Sequence, residues 1–188
     1  MTALGIDAGS DTTRDAEHVL RDVLTRLQAG DAEWEACTHF VAGDRPHVAL
    51  SVSVEICRIF DLPDGLLDAG LGLALGTDRS GPADLTAGAA TAADEHERRV
   101  QGRAVSFAGS HTLIGQVAVR DILAETAIDE VAVVGGGPIG DGSIVDTRNF
   151  IRPEWRDGRL VLAVAPVAGG LLAPFEVPDP TPCCTDHA

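Results

Sequence analysis

Two adjacent thiols and an imidazole lie in the last residues of the sequence. Cys183 and Cys184 follow Pro182, and His187 stands four residues after the first cysteine and three after the second. Neighbouring Cα atoms are about 3.8 Å apart, closer than a disulfide tolerates, so the two cysteines do not readily bond to each other. They can present two sulfurs to one ion. With His187 they form a soft donor set for zinc or copper(I), and Cys37 or His39 could add a fourth ligand if the tail folds back. The same tail could instead dock to a partner protein. The plain alternative is a terminal segment without a role, because a single Cys-Cys-x-x-His lacks the paired spacing that makes zinc motifs specific.

Other reactive groups are scattered. Glu95-His96-Glu97 could supply metal ligands or an acid–base pair, although a solvated helix face explains the same run. Ser110, flanked by small residues, could be a nucleophile with Asp146 and His187 as partners, or an N-cap. His18 is expected on the polar side of the first helix. Arg148, Phe150 and Arg152 would share one face of a strand, either as a site for an acidic ligand or as partners for an acidic surface.

Two short stretches resemble known loops. Gly135, Gly137 and Gly140 after an apolar run are similar to the Gly-x-Gly-x-x-Gly fingerprint of Rossmann enzymes, which implies a nucleotide cofactor. That fingerprint must open a helix, however, and Asp141-Gly142-Ser143 leads into a β-like run. Residues 5–13 are similar to the first phosphate loop of the actin and sugar-kinase superfamily. The similarity covers nine residues and a helix is expected next, so it is set aside.

Composition excludes more than the motifs supply. Acidic residues outnumber basic ones 29 to 14, for a net charge of -15, and every basic residue is arginine. Without lysine the chain offers no Schiff-base or phosphate-loop lysine, and without tyrosine no short-chain-dehydrogenase pair. The charge repels nucleic acid and anionic membranes. No basic leader and no long apolar stretch is evident, so a cytoplasmic location with four reduced cysteines is expected.

The elements that must position these groups follow from periodicity. Ala16, Val19, Leu20, Val23, Leu24 and Leu27 predict an amphipathic helix capped by Thr12 and stopped by Gly30, after a short polar start. Alternation predicts a strand over 48–56 and a short one around Leu71, Leu73 and Leu75, with a turn at 61–65 between them. Residues 76–84 read as a loop and the alanine-rich 85–99 as an exposed helix. A βαβ-like unit is expected over 103–134, then hairpins turning at 156–159 and 168–170.

The expected architecture is an α+β fold, with helices on one side of a mixed β-sheet, C-terminal β-hairpins and an extended proline-rich tail. A single domain over 1–177, β-rich from about 128, would carry the tail at 178–188. The expected function is that of a small accessory or binding protein working through Cys183, Cys184 and His187. The alternative is a small enzyme using the 135–140 loop or Ser110.

Overall fold

The computed structural model describes residues 2–27, 34–55 and 61–177. Strand β1 (Thr2–Ser10) lies between two antiparallel neighbours, β3 (His47–Val54) and β4 (Gly72–Leu75). Helix α1 (Thr13–Arg26) follows at once, and the Thr12 hydroxyl accepts the Asp15 N–H as its N-cap. Strand β2 (Ala36–Val41) forms a hairpin with β3, a single helical turn α2 (Asp64–Leu67) precedes β4, and β5 (Asp78–Ser80) pairs back on β4. Helix α3 (Ala83–Arg98) leads to β6 (Arg103–Ser106).

Beyond it come β7 (Gln116–Ala118), α4 (Val119–Glu125), β8 (Glu130–Val133), β9 (Ile144–Asp146), β10 (Glu154–Arg156), β11 (Arg159–Val167) and β12 (Leu171–Pro174). Among the described residues, all strands join one mixed 12-stranded sheet in the order β5-β4-β1-β3-β2-β6-β10-β11-β12-β9-β7, with β8 parallel to β11. The chain is therefore α+β with a mixed sheet. Both C-terminal hairpins form, β10 to β11 through Asp157-Gly158 and β11 to β12 through the 168–170 turn.

The helices do not share one side. Even-numbered residues of β1, Leu4 and Ile6, pack with Leu50, Val52, Leu73 and Leu75 under Ala16, Leu20 and Val23 of α1. Each such large side chain contributes about 1.5–3 kcal/mol by leaving water. The other rows, Gly5 and Asp7 of β1, Ser51 and Ser53 of β3 and Gly72 of β4, face α3. A strand alternates its side chains, so a helix on each face satisfies both rows.

Helix α3 is also not the exposed helix its composition suggests. Gly88, Ala89, Ala92, Ala93 and His96 are buried against the sheet. Small residues allow close approach: a Cβ on Gly5 would stand 1.8 Å from the Ala89 carbonyl oxygen, and one on Gly88 2.0 Å from Asp7 Oδ2. Alanine here marks backbone-to-backbone packing as well as helix propensity.

Three further expectations are corrected. The polar start is the buried strand β1, because Ala3, Gly5 and Asp7 face a helix rather than solvent. The supposed loop over 76–84 contains β5. The βαβ unit does not form: β6 pairs antiparallel with β2 and β10, β8 pairs with β11, and the helix between them shortens to α4 behind the extra strand β7.

Candidate metal centre

The polar groups that matter lie between α3 and the β2–β3 hairpin. On β2 the alternate positions Cys37 and His39 point to the α3 face, as do Ser51 and Ser53 on β3; the register pairs Cys37 with Ser51 and His39 with Ala49. Glu95 and His96 reach in from the last turn of α3. Gly102 closes the pocket, since a Cβ there would stand 2.6 Å from His39 Cε1.

These side chains form one hydrogen-bonded row. Glu95 Oε2 lies 2.8 Å from His39 Nδ1, and His39 Nε2 lies 2.7 Å from Ser51 Oγ. Ser51 Oγ lies 2.6 Å from His96 Nδ1, and His96 Nε2 lies 3.0 Å from Ser53 Oγ. A carboxylate only accepts, so with both rings neutral the proton positions follow. His39 Nδ1–H donates to Glu95, Ser51 O–H to His39 Nε2, His96 Nδ1–H to Ser51, and Ser53 O–H to His96 Nε2. Burial lowers the pKa of His96 to about 4, and the neighbouring His39 and Arg99 push the same way, so this ring is neutral near pH 7.

Glu95, His39 and Ser51 thus reproduce the acid, imidazole and hydroxyl distances of a hydrolase triad. Ser51 has no exposed surface and its Oγ is already engaged by His96. No carbonyl carbon can reach it, so the row is not a nucleophilic site.

The same groups can coordinate. Among the described residues, ligand atoms of Cys37, His39 and His96 lie within 4.8 Å of one another, and all three residues are buried. Each imidazole turns one nitrogen to Ser51 Oγ in the middle and the other to a carboxylate. For His39 that carboxylate is Glu95; for His96 it is Glu35, whose Oε1 stands 3.6 Å from Nε2 and has no hydrogen-bond partner. An outer carboxylate on each ligating histidine is the usual way of fixing tautomer and ring orientation at a metal. Zinc ligands at about 2.0–2.3 Å would sit roughly 3.3–3.6 Å apart for one sulfur and two nitrogens, so the cluster must contract by up to about 1.5 Å while Ser51 turns aside or joins the set.

Burial pushes the Cys37 thiol well above its ordinary pKa, and the Glu35 carboxylate adds to this; the Trp155 indole and Ser51 hydroxyl act in the opposite direction. Cys37 is a protonated thiol without an ion, and a bound cation would reverse that preference.

A second buried pair sits nearer the start of α3. Asp7 has no exposed surface; its carboxylate accepts from the Gly9 N–H and lies 2.7 Å from His47 Nε2. Burial lowers the His47 pKa, but the Arg45 carbonyl and Asp7 outweigh it and hold the ring above its ordinary value. Both ring nitrogens are occupied, Nδ1 by the Arg45 oxygen at 2.8 Å, so His47 has no nitrogen free for base chemistry.

The residues singled out in the sequence fare differently. Cys183, Cys184 and His187 lie outside the described residues, as does Cys57. His39 and His96, distant in sequence, come together; His18 is exposed on α1. Ser110 begins a 3-10 turn closed by backbone bonds, not a strand-to-helix elbow or the cap of a long helix, and the Asp146 carboxylate accepts the Arg148 N–H. The 135–140 loop runs on to β9, and among the described residues no helix follows it to hold a pyrophosphate. Arg148 and Arg152 are in a loop, where Arg152 forms a bidentate pair with Glu17 and lies over Phe150.

No family model, no curated protein and no solved structure matches the chain. Among the described residues, no helix is long and apolar enough to cross a membrane.

Proposed function

We propose that the protein binds one borderline-soft metal ion, zinc in the first instance, through Cys37 Sγ, His39 Nε2 and His96 Nδ1, with Ser51 Oγ beside them. The observation that carries this reading is the orientation of the two imidazoles. Their inner nitrogens converge on one point next to a cysteine sulfur, and their outer nitrogens each face a carboxylate.

Neutral His96 ligates through Nδ1 once its proton moves to Nε2, where the Ser53 hydroxyl and the Glu35 carboxylate can accept it, and Cys37 releases a proton to ligate. The ion would tie β2 to α3, elements already joined by the bond between His39 and Glu95. All three ligands are buried, so the centre suits a structural or holding role rather than one in which substrate meets the metal. This reading moves the working site from the tail to the core: three ligands come from β2 and α3 without Cys183, Cys184 or His187.

The test is elemental analysis of protein reloaded with zinc after chelation, alongside calorimetric titration. Wild type and the Cys183→Ser, Cys184→Ser double variant are expected to hold about one equivalent, and Cys37→Ser to bind at least ten times more weakly. Zinc lost with the tail cysteines and kept in Cys37→Ser would return the site to the tail.

A further inference from the structure

Among the described residues, two buried side-chain polar atoms have no hydrogen-bond partner, the acceptor Glu35 Oε1 and the donor Trp155 Nε1. Native interiors rarely leave such groups unmatched, so each calls for an explanation. Both lie at the candidate centre. Glu35 Oε1 stands 3.6 Å from His96 Nε2, and that nitrogen accepts from Ser53 while Nδ1 carries the proton, so two acceptors face each other.

Trp155 reaches a different ligand. Strand β10 lies beside β6, where the Trp155 backbone N–H donates to the Gly102 carbonyl, and β6 lies beside β2, where Ala104 is paired with Cys37. The Trp155 and Cys37 side chains belong to one buried cluster, and the indole is only 5% exposed. Its N–H is near enough to the sulfur to favour ionisation of the thiol, against the larger effect of burial. A neutral thiol is a weak acceptor and leaves the N–H unmatched; a thiolate is a strong one.

Arg99 holds both groups where they are. Its guanidinium lies 4.6 Å over the Trp155 ring and 4.0 Å from Glu35 Oε2. Its backbone takes a left-handed conformation, φ 53°, at the C-terminus of α3, and its carbonyl accepts the Gly158 N–H.

We propose that Trp155 is the outer partner of the Cys37 ligand, its indole N–H donating to the thiolate in the metal-bound protein. Resting on the metal centre proposed above, this gives each ligand one buried partner: Glu95 for His39, Glu35 for His96 and Trp155 for Cys37. One ion would match both orphaned atoms at once. Ligation through His96 Nδ1 puts a proton on Nε2 for Glu35, and the ionised sulfur takes the indole N–H. Trp155 does not touch the ion, so it is a positioning residue.

Cobalt(II) added to chelated protein reads the sulfur. A hydrogen bond lowers the energy of the filled sulfur orbitals. The thiolate-to-metal charge-transfer band of Trp155→Phe, which keeps a ring but lacks the donor, should therefore move to longer wavelength, and zinc affinity should fall about tenfold. Trp34→Phe, a change at the chain's other tryptophan, should leave the band in place. In wild type labelled with nitrogen-15 tryptophan, the indole proton that survives in Trp34→Phe should move downfield when zinc binds. Melting curves establish whether Trp155→Phe is folded; if it is not, the indole proton decides the matter. An unmoved band in folded Trp155→Phe, or an unmoved indole proton, in protein that binds cobalt through Cys37 overturns this proposal alone. No cobalt–thiolate band in wild type, or one that persists in Cys37→Ser, overturns the metal centre and this proposal with it.

Discussion

Replacing Gly5 by alanine puts the packing of α3 to a direct test. The added methyl would lie 1.8 Å from the Ala89 carbonyl oxygen, 2.7 Å from its carbon and 3.1 Å from Ala93 Cβ. Ordinary non-bonded separations are about 3.5 Å, so the helix must retreat from β1 by roughly 1.5 Å. The obstacle is backbone, which no rotamer change can relieve. Overpacking typically costs about 1–3 kcal/mol, and the hydrogen bonds that His96 makes to Ser51 and Ser53 add about 1 kcal/mol each if they stretch. The expected loss is about 3–5 kcal/mol, against the small intrinsic gain of alanine over glycine in a strand. Because His96 rides on α3 while Cys37 and His39 ride on β2, zinc affinity should also fall, by about ten- to a hundredfold. Urea unfolding of the chelated protein gives the first quantity and zinc titration the second. Gly142→Ala, with nothing within 4 Å and no positive φ, is the control and should change stability by less than about 0.5 kcal/mol. A Gly5→Ala protein within about 1 kcal/mol of wild type, with unchanged zinc affinity, would refute the close approach of helix and strand.

Acid should destabilise the metal-free protein through His96. Its folded pKa of about 4 lies below the ordinary 6.5, so the unfolded state takes up the proton first; stability is full above pH 6.5 and falls as pH drops toward 4, by 6.5 minus 4 units at about 1.4 kcal/mol each, or about 3 kcal/mol. His47 works with the opposite sign, its raised pKa giving stability that is complete below 6.5 and lost as pH rises through that pKa. Urea midpoints measured against pH check both; a slope between 6.5 and 4 that persists in His96→Gln would rule His96 out as its source. Ser51→Ala removes the hydroxyl between two buried ring nitrogens and should cost the metal-free protein about 2–4 kcal/mol while leaving zinc binding within a few fold, as read by chemical unfolding and titration. Cys37 should resist a thiol reagent in the folded protein and react on unfolding, whereas equal reactivity in Cys37→Ser and wild type after unfolding would show the counting to be wrong.

Local signals in the sequence were sound where one residue type decides one local outcome. The Thr12 cap, the periodicity of Ala16, Leu20 and Val23, the alternation along β3 and the Asp157-Gly158 turn all correspond to structure. What escaped was set by partners distant in the chain. Strand β1 carries Gly5 and Asp7 on one face because α3 presses there, and nothing within 2–10 announces the helix eighty residues later. Alanine and glycine in α3 read as an exposed helix because smallness is a signal of close packing only once the partner is known. The candidate centre shows both sides of this. Cys37 and His39 are legible only as alternative fourth ligands for the tail, since no strand is expected there, and Glu95-His96-Glu97 as ligands or an acid–base pair; only the sheet register joins Cys37, His39 and His96 across Ser51.

The central claim is that Cys37, His39 and His96 share one ion, and cobalt(II) reads the ligands directly. Chelated protein titrated with cobalt is expected to develop, at one equivalent, the intense visible bands of a tetrahedral site and a thiolate-to-metal charge-transfer band. The charge-transfer band should vanish in Cys37→Ser and survive in the Cys183→Ser, Cys184→Ser variant. A pale octahedral spectrum, or a charge-transfer band that follows the tail cysteines instead, would contradict it.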